Sequence, residues 1–164
     1  MADILPADWF GRDATTVAKE LLGKLLCRRL PSGELVKLVI NETESYPGPH
    51  DAASHAHMNR FTKRTEVMFA DPGKIYVYLI YGMYYMLNIV TEKNGYPAAV
   101  LIRGAHSDGL NLDGPGKLTR DLKIDKSFNN TFLSIASGLW IEDAPIITAD
   151  KIIAGPRIGI NYAG

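Results

Sequence analysis

Fifteen consecutive residues, Lys74-Ile-Tyr-Val-Tyr-Leu-Ile-Tyr-Gly-Met-Tyr-Tyr-Met-Leu-Asn88, limit what this chain can become. β-Branched and aromatic side chains fill both halves, and a single glycine, Gly82, divides them. That composition predicts two strands, 74–81 and 85–90, joined by a tight turn. Strand side chains alternate between faces, so Tyr76 and Tyr78 share one face while Val77 and Leu79 point the other way. Five of the chain's eight tyrosines lie here, at positions 76, 78, 81, 84 and 85. A tyrosine-rich sheet core accounts for Tyr76, Tyr84 and Tyr85. It accounts less well for Tyr81 at the hairpin tip, where an aromatic ring is ordinarily buried or used for contact.

The flanking sequence extends the sheet. Leu35–Tyr46 and 98–103 read as further strands, and 140–142 and 152–160 as short late ones. Residues 13–27 fit an amphipathic helix, capped by Asp13, with Val17, Leu21, Leu22 and Leu25 at helical spacing. Pro115 starts a second helix over 115–124, since proline suits the first turn. Neither repeats nor a linker divide the 164 residues, a length that suits one domain. The expected class is mixed α/β (α+β): one domain over 1–164, with a curved, largely antiparallel sheet surrounded by helices.

Two further segments carry possible chemistry. In Asn41-Glu-Thr-Glu-Ser-Tyr46, unbroken alternation places Ile40, Glu42, Glu44 and Tyr46 on one face and Asn41, Thr43 and Ser45 on the other. Two carboxylates beside a tyrosine can activate water if one is partly desolvated, whereas a charged, exposed strand end is the ordinary alternative. Three of the four histidines, His50, His55 and His57, lie within eight residues and beside Asp51. They could ligate a metal, hydrogen-bond a ligand, or simply face solvent; their spacing matches no zinc motif. Gly109 to Lys117 superficially suggests a phosphate loop but fails its spacing, with Leu118 where a hydroxyl belongs.

Cys27, the only cysteine, excludes an intramolecular disulfide framework and reads as a small buried hydrophobe among leucines. No apolar run approaches the ~20 residues of a membrane span, and no basic-then-apolar leader opens the chain, so a soluble, intracellular protein is expected. Eighteen Lys+Arg balance eighteen Asp+Glu. A zero net charge argues against a strong, unspecific polyanion binder. The total nevertheless hides two locally basic stretches. One holds Arg60, Lys63, Arg64 and Lys74; the other holds Lys117, Arg120, Lys123 and Lys126.

Taken together, these segments resemble the alkyladenine (3-methyladenine, methylpurine) DNA glycosylases. The resemblance runs through Asn41-Glu-Thr-Glu-Ser-Tyr-Pro-Gly-Pro49, Asp51-Ala-Ala-Ser-His55, Met68-Phe69, Pro72-Gly73, Tyr76-Val-Tyr-Leu-Ile-Tyr-Gly-Met-Tyr84, Asn88-Ile89, Val100-Leu-Ile-Arg103, Gly114-Pro-Gly-Lys-Leu118 and Arg157-Ile-Gly-Ile160. It implies a monofunctional base-excision-repair enzyme without metal or cofactor. Such an enzyme flips an alkylated or deaminated purine (3-methyladenine, 7-methylguanine, hypoxanthine, ethenoadenine) out of duplex DNA and hydrolyses its glycosidic bond, leaving an abasic site.

Residue by residue, the resemblance makes Glu44 the general base and Arg103 and the backbone at Ile158 partners of the attacking water. Tyr46, His55 and Tyr78 become walls for the flipped base, and Asn88 a steric discriminator against guanine. Tyr81 fills the vacated stack, with Met83 and Tyr84 continuing the inserting hairpin. Arg60, Thr62, Arg64 and Lys117 fall near the DNA backbone. The chain is short against the family between Arg103 and Gly114 and at its C-terminus. The implied partner is damaged duplex DNA and the implied state a monomer, in the bacterial nucleoid or a eukaryotic nucleus. Two other readings stand beside this one: a catalytically inactive lesion-binding module of the same fold, and a His/Asp metal-dependent hydrolase.

Overall fold

A computed structural model describes residues 3–155. Helix α1 spans Ala14–Leu21, and the Asp13 carboxylate caps it by accepting the Thr16 N–H at 3.0 Å. Ala14, Val17, Ala18 and Leu21 form its buried face. The helix ends well short of the expected residue 27. Leu22 turns extended and Gly23 takes φ +90°, where its N–H donates to the Ile40 carbonyl. A side chain there would also meet Ile147 at 2.7 Å. Past this break the apolar run becomes a strand, β1 (Leu25–Arg29), which contains the fully buried Cys27. Burial and the neighbouring Glu142 push the Cys27 thiol up to about 12, so it is an inert packing group.

Six more strands follow: β2 (Leu35–Tyr46), β3 (Ile75–Ile80), β4 (Tyr84–Val90), β5 (Ala99–Ser107), β6 (Leu110–Asp113) and β7 (Leu139–Glu142). They form one sheet in the order β3-β4-β5-β2-β1-β7, every pairing antiparallel, with β6 lying along the far half of β5. β6 fills the region expected to be a short connection. Asp108-Gly109, with Gly109 at φ +79°, closes a hairpin from Ser107 to Leu110. Helix α2 (Pro115–Asp121) starts at proline as expected and buries Leu118 against the sheet. The strand expected over 152–160 does not form in its described part: a short 3-10 turn at Ala149–Lys151 leads into irregular backbone over 152–155. Arg157 and Ile158 lie outside the described residues.

The sheet has two differently covered faces. On one, Leu38, Ile40, Ile75, Val77, Ile89 and Ile102 pack with α1 and α2 into the main core. On the other, Tyr76, Val90 and Ala99 meet Ala56, Val67 and Met68 from the long segment between β2 and β3. Strand β3 thus divides as its alternation predicts, with Tyr76 and Tyr78 facing the second cluster.

Strand β2 does not alternate as expected. Its register against β5 shifts twice, from Ile40↔Ala105 to Glu42↔Gly104 and then to Thr43↔Ile102. Asn41 and Arg103 are the extra residues of two offset bulges. A bulge reverses the in–out parity of everything beyond it. Ile40 enters the main core, and the Thr43 hydroxyl donates to the Ala18 carbonyl of α1 on that same side. Glu44 and Tyr46 are therefore turned to the face opposite Ile40, not the same one.

A buried arginine fastens the segment after α2. Arg28 donates from Nε to the Leu122 carbonyl at 2.8 Å and from Nη2 to the Lys123 carbonyl at 3.1 Å, and its guanidinium lies 4.8 Å from the Phe128 ring centroid. Arg28→Met removes both donors and leaves the Leu122 and Lys123 carbonyls without them. It should lower unfolding free energy by about 3 kcal/mol, read from the urea midpoint at unchanged m-value.

Candidate active site

The register that the bulges establish lines up four residues from four strands. Tyr76 pairs with Asn88, Asn88 with Leu101, and Leu101 with Glu44. Directly opposed residues share a face, so these side chains form a row across the second face, flanked by Tyr46 and Tyr78 two positions along their strands. The segment 47–69 closes over the row. A narrow pocket open to solvent results; it is lined by Tyr46, Ser54, His55, Tyr76, Tyr78 and Asn88. Tyr46, His55, Tyr78 and Asn88, widely separated in sequence, are thereby brought together. Tyr76 belongs with them, although its spacing was equally compatible with a place in the core.

Glu44 lines an adjoining cleft and is tied to the cavity wall through Tyr46. Its side chain is 7% exposed, and the Tyr46 hydroxyl donates to Oε2 at 2.6 Å. The cleft is lined by Glu42, Glu44, Arg103, Lys19 of α1 and residues 152–155. Arg103 reaches Glu42 with Nε 3.6 Å from Oε2. This exceeds hydrogen-bond reach, and no acceptor among the described residues satisfies that buried N–H. Only one of the two candidate carboxylates is desolvated: Glu42 stays exposed and ion-paired, Glu44 does not.

The aromatic wall is a coupled set. His55 Nδ1 and the Tyr76 hydroxyl are 2.9 Å apart, and the His55 ring meets Tyr78 edge-on at 4.5 Å between centroids. Arg64 stands with its guanidinium carbon 5.1 Å from the Tyr78 centroid, a cation–π contact. Of the residues expected near the DNA backbone, Arg64 is thus the one that reaches the cavity wall. Burial, with the Arg64 charge second, pulls His55 down to about 4. Burial first and the Glu44 charge second push Tyr78 up to about 12. The wall is therefore uncharged at neutral pH. Asn88 is buried and donates from Nδ2 to the Tyr76 carbonyl at 3.2 Å, which holds its amide in one orientation.

The hairpin beyond this wall is unusual. Tyr81 and Gly82 have φ +52° and +67°, and the Met83 N–H donates to the Ile80 carbonyl, a turn with both central residues left-handed. Such turns match strand twist but favour Asn or Gly; a tyrosine there costs roughly 1–2 kcal/mol. Yet the ring is 85% exposed, with Met83 and Tyr84 also on the surface. Tyr84 lies against Gly116, where a Cβ would come within 2.7 Å of its ring. Lys117 pairs with Asp113 at 3.1 Å on the surface. Arg60 and Thr62 are exposed, their backbone tied by Thr65, whose hydroxyl donates to the Arg60 carbonyl and accepts the Thr62 N–H, each at 2.8 Å.

The histidine cluster disperses. His50 is exposed, His57 Nδ1 lies 3.0 Å from the Pro49 carbonyl, Asp51 accepts the Ala53 N–H, and His55 faces Tyr76. Among the described residues no three His, Cys, Asp or Glu side chains converge as metal ligands. The neutral His55 has a consequence for stability. Its folded pKa, about 4, lies below its ordinary 6.5, so the unfolded chain binds the extra proton. Stability is full above pH 6.5 and falls as pH drops through this window. His55→Gln should flatten the slope of unfolding free energy between pH 6.5 and 4, measured by denaturant titration at each pH.

The chain's kinship accords with this geometry. Residues 8–164 match the family model described as methylpurine-DNA glycosylase. A protein of Methanocella arvoryzae named as a 3-methyladenine DNA glycosylase is 46% identical over 177 aligned positions, which cover 98% of this chain and 86% of that protein. Similarly named proteins of Natranaerobius thermophilus and Clostridium perfringens are 39% and 40% identical, covering 97% of this chain and 88% and 89% of their own lengths. On these matches the chain belongs to the methylpurine-DNA glycosylase family and is a DNA glycosylase, a hydrolase of DNA repair.

Proposed function

We propose that the protein, acting as a monomer, extrudes a damaged purine from duplex DNA into the tyrosine-lined cavity and hydrolyses its N-glycosidic bond with Glu44 as general base. The observation that carries this reading is the placement of Glu44: a buried carboxylate in the cleft that holds Arg103, oriented by the hydroxyl of Tyr46, which lines the aromatic cavity. A base inside the stack is out of reach of such a group, so the nucleotide must leave the helix, at a cost of a few kcal/mol. Tyr46 and Tyr78 stack the base, worth roughly 1–3 kcal/mol for each base–ring contact. An alkylated purine such as 3-methyladenine or 7-methylguanine is cationic, which suits electron-rich rings.

In the reaction, Glu44 takes a proton from water as the oxygen attacks C1′. The bond from C1′ to the purine nitrogen breaks, and its electron pair leaves with the base. For a cationic purine the departing base is neutral, so it needs no acid. The carboxylate also offsets the positive charge that develops on the sugar ring. Arg103 orients the water from the cleft side. Asn88, whose amide orientation is fixed, crowds an exocyclic 2-amino group and so disfavours unmodified guanine; in 7-methylguanine the cationic base is a better leaving group, which offsets the same contact. Hypoxanthine and ethenoadenine are the neutral members of the substrate set. The Tyr81 hairpin fills the vacated position in the stack, and Arg60, Thr62 and Lys117 lie along the phosphates.

The closest alternative is a lesion-binding module without turnover. The desolvated, hydrogen-bonded Glu44 favours the enzyme, because a purely binding cavity has no use for a buried carboxylate. Duplex oligonucleotides carrying one 3-methyladenine, hypoxanthine or ethenoadenine distinguish them. The enzyme yields an alkali-labile site at the lesion and free base in equal amount; lesion-selective binding with no alkali-labile site identifies the module. The hairpin yields a second prediction. Tyr81→Asn accepts the left-handed backbone and should leave the melting temperature unchanged or raise it, while single-turnover excision from duplex falls about tenfold or more, the equivalent of one lost stacking contact.

A further inference from the structure

Tyr81 is not the only large apolar side chain presented on strained backbone beside the cavity. Met58 has φ 60° and ψ 33°, its neighbour Asn59 has φ 60°, and the Met58 side chain is 79% exposed. Two consecutive non-glycine residues in this region are costly, and the surrounding structure holds them there. The Met58 N–H donates to the Pro49 carbonyl at 2.7 Å. The same carbonyl lies 3.0 Å from His57 Nδ1, and the Arg60 N–H donates to the His57 carbonyl. The loop is thus fixed to the segment that covers the cavity, three residues after His55 in the cavity wall. Phe61, the next apolar residue, packs edge-on against Phe69 at 5.0 Å.

We propose that Met58 is a second apolar contact to the duplex, seated beside the extruded nucleotide on a different rim of the cavity from the Tyr81 hairpin. Charge complementarity names the occupant. Arg60, Lys63 and Arg64 follow within six residues, all exposed, with no acidic residue among those six. An apolar tip amid cations fits a surface with stacked bases between phosphates, and methionine is among the side chains that wedge against base steps. The hairpin brings Tyr81 from β3–β4; the 57–60 loop brings Met58 from the covering segment. Two rigid apolar tips on separate rims grip the helix on both sides of one gap, where a single tip lets it pivot.

The proposal rests on the glycosylase reading above, and its test separates the two. Met58→Gly supplies a residue that suits φ +60°, so the fold is kept; Met58→Leu conserves an apolar tip. Each protein is titrated with a hypoxanthine duplex carrying 2-aminopurine beside the lesion, and with the corresponding single strand. Met58→Gly should keep its melting temperature, weaken duplex binding about five- to tenfold and reduce the 2-aminopurine fluorescence rise, with single-strand binding unchanged and Met58→Leu near wild type. Equal duplex affinity and fluorescence in wild type and Met58→Gly overturn the proposal, as does an equal loss on single-stranded DNA. Wild-type protein that shows no preference for the lesion duplex overturns the glycosylase reading instead.

Discussion

Two offset bulges between β2 and β5 decide what this sheet can do. The strands bring tyrosines, an asparagine and a carboxylate to adjacent positions, but parity decides which face each side chain meets. With Asn41 and Arg103 as extra residues, Ile40 remains in the main core while Glu44 and Tyr46 turn to the other face. There Glu44 completes the row Tyr76, Asn88, Leu101, Glu44. In an unbroken ladder Glu44 would follow Ile40 into a core of leucine and isoleucine, where a carboxylate is untenable unless neutralised. The same irregularity gives Arg103 its place at the cleft. Bulges are common where a sheet re-aims a side chain for chemistry, and here one pair of them serves both a candidate base and its neighbour.

Covering that face is a separate task, given to the segment 47–69. It contributes His55, Ser54 and Met68 to the cavity and carries almost no regular structure. Its order comes from short local bonds: Thr62 with Thr65, Asp51 with Ala53, His57 with Pro49. The result is a cavity with a neutral wall and positive charge close behind it, since Arg64 lies against Tyr78 while burial keeps His55 unprotonated. Such a wall suits an aromatic base. The cations around it suit the phosphates on which any DNA enzyme depends, even though the molecule as a whole carries no net charge.

Much of this is legible in the sequence. β-Branched and aromatic runs identify β3, β4 and β5, and the Tyr76/Tyr78 alternation holds because nothing interrupts that strand. Two errors have physical causes. Leu21, Leu22, Leu25 and Leu26 fit both a helical stripe and a buried strand, so periodicity alone carries the helix to residue 27; Gly23, with φ +90°, is what ends it. The bulges leave no signal in the sequence, because Asn41 and Arg103 are as acceptable in a regular ladder as in a bulge. Asp108-Gly109, between the apolar runs of β5 and β6, carries the turn chemistry of the β6 hairpin. The position of Arg64 over Tyr78 depends on how an irregular segment packs, which no periodicity encodes.

The central claim is that the carboxylate of Glu44 performs the bond-breaking step, as distinct from binding. Glu44→Gln keeps the side-chain volume and can still hydrogen-bond Tyr46, so it isolates the lost base. The measurement is single-turnover release of free purine from a lesion duplex, alongside the dissociation constant for the same duplex. The account predicts a rate lower by about 10²–10⁴-fold with affinity within a few-fold of wild type. Release at the wild-type rate would contradict it.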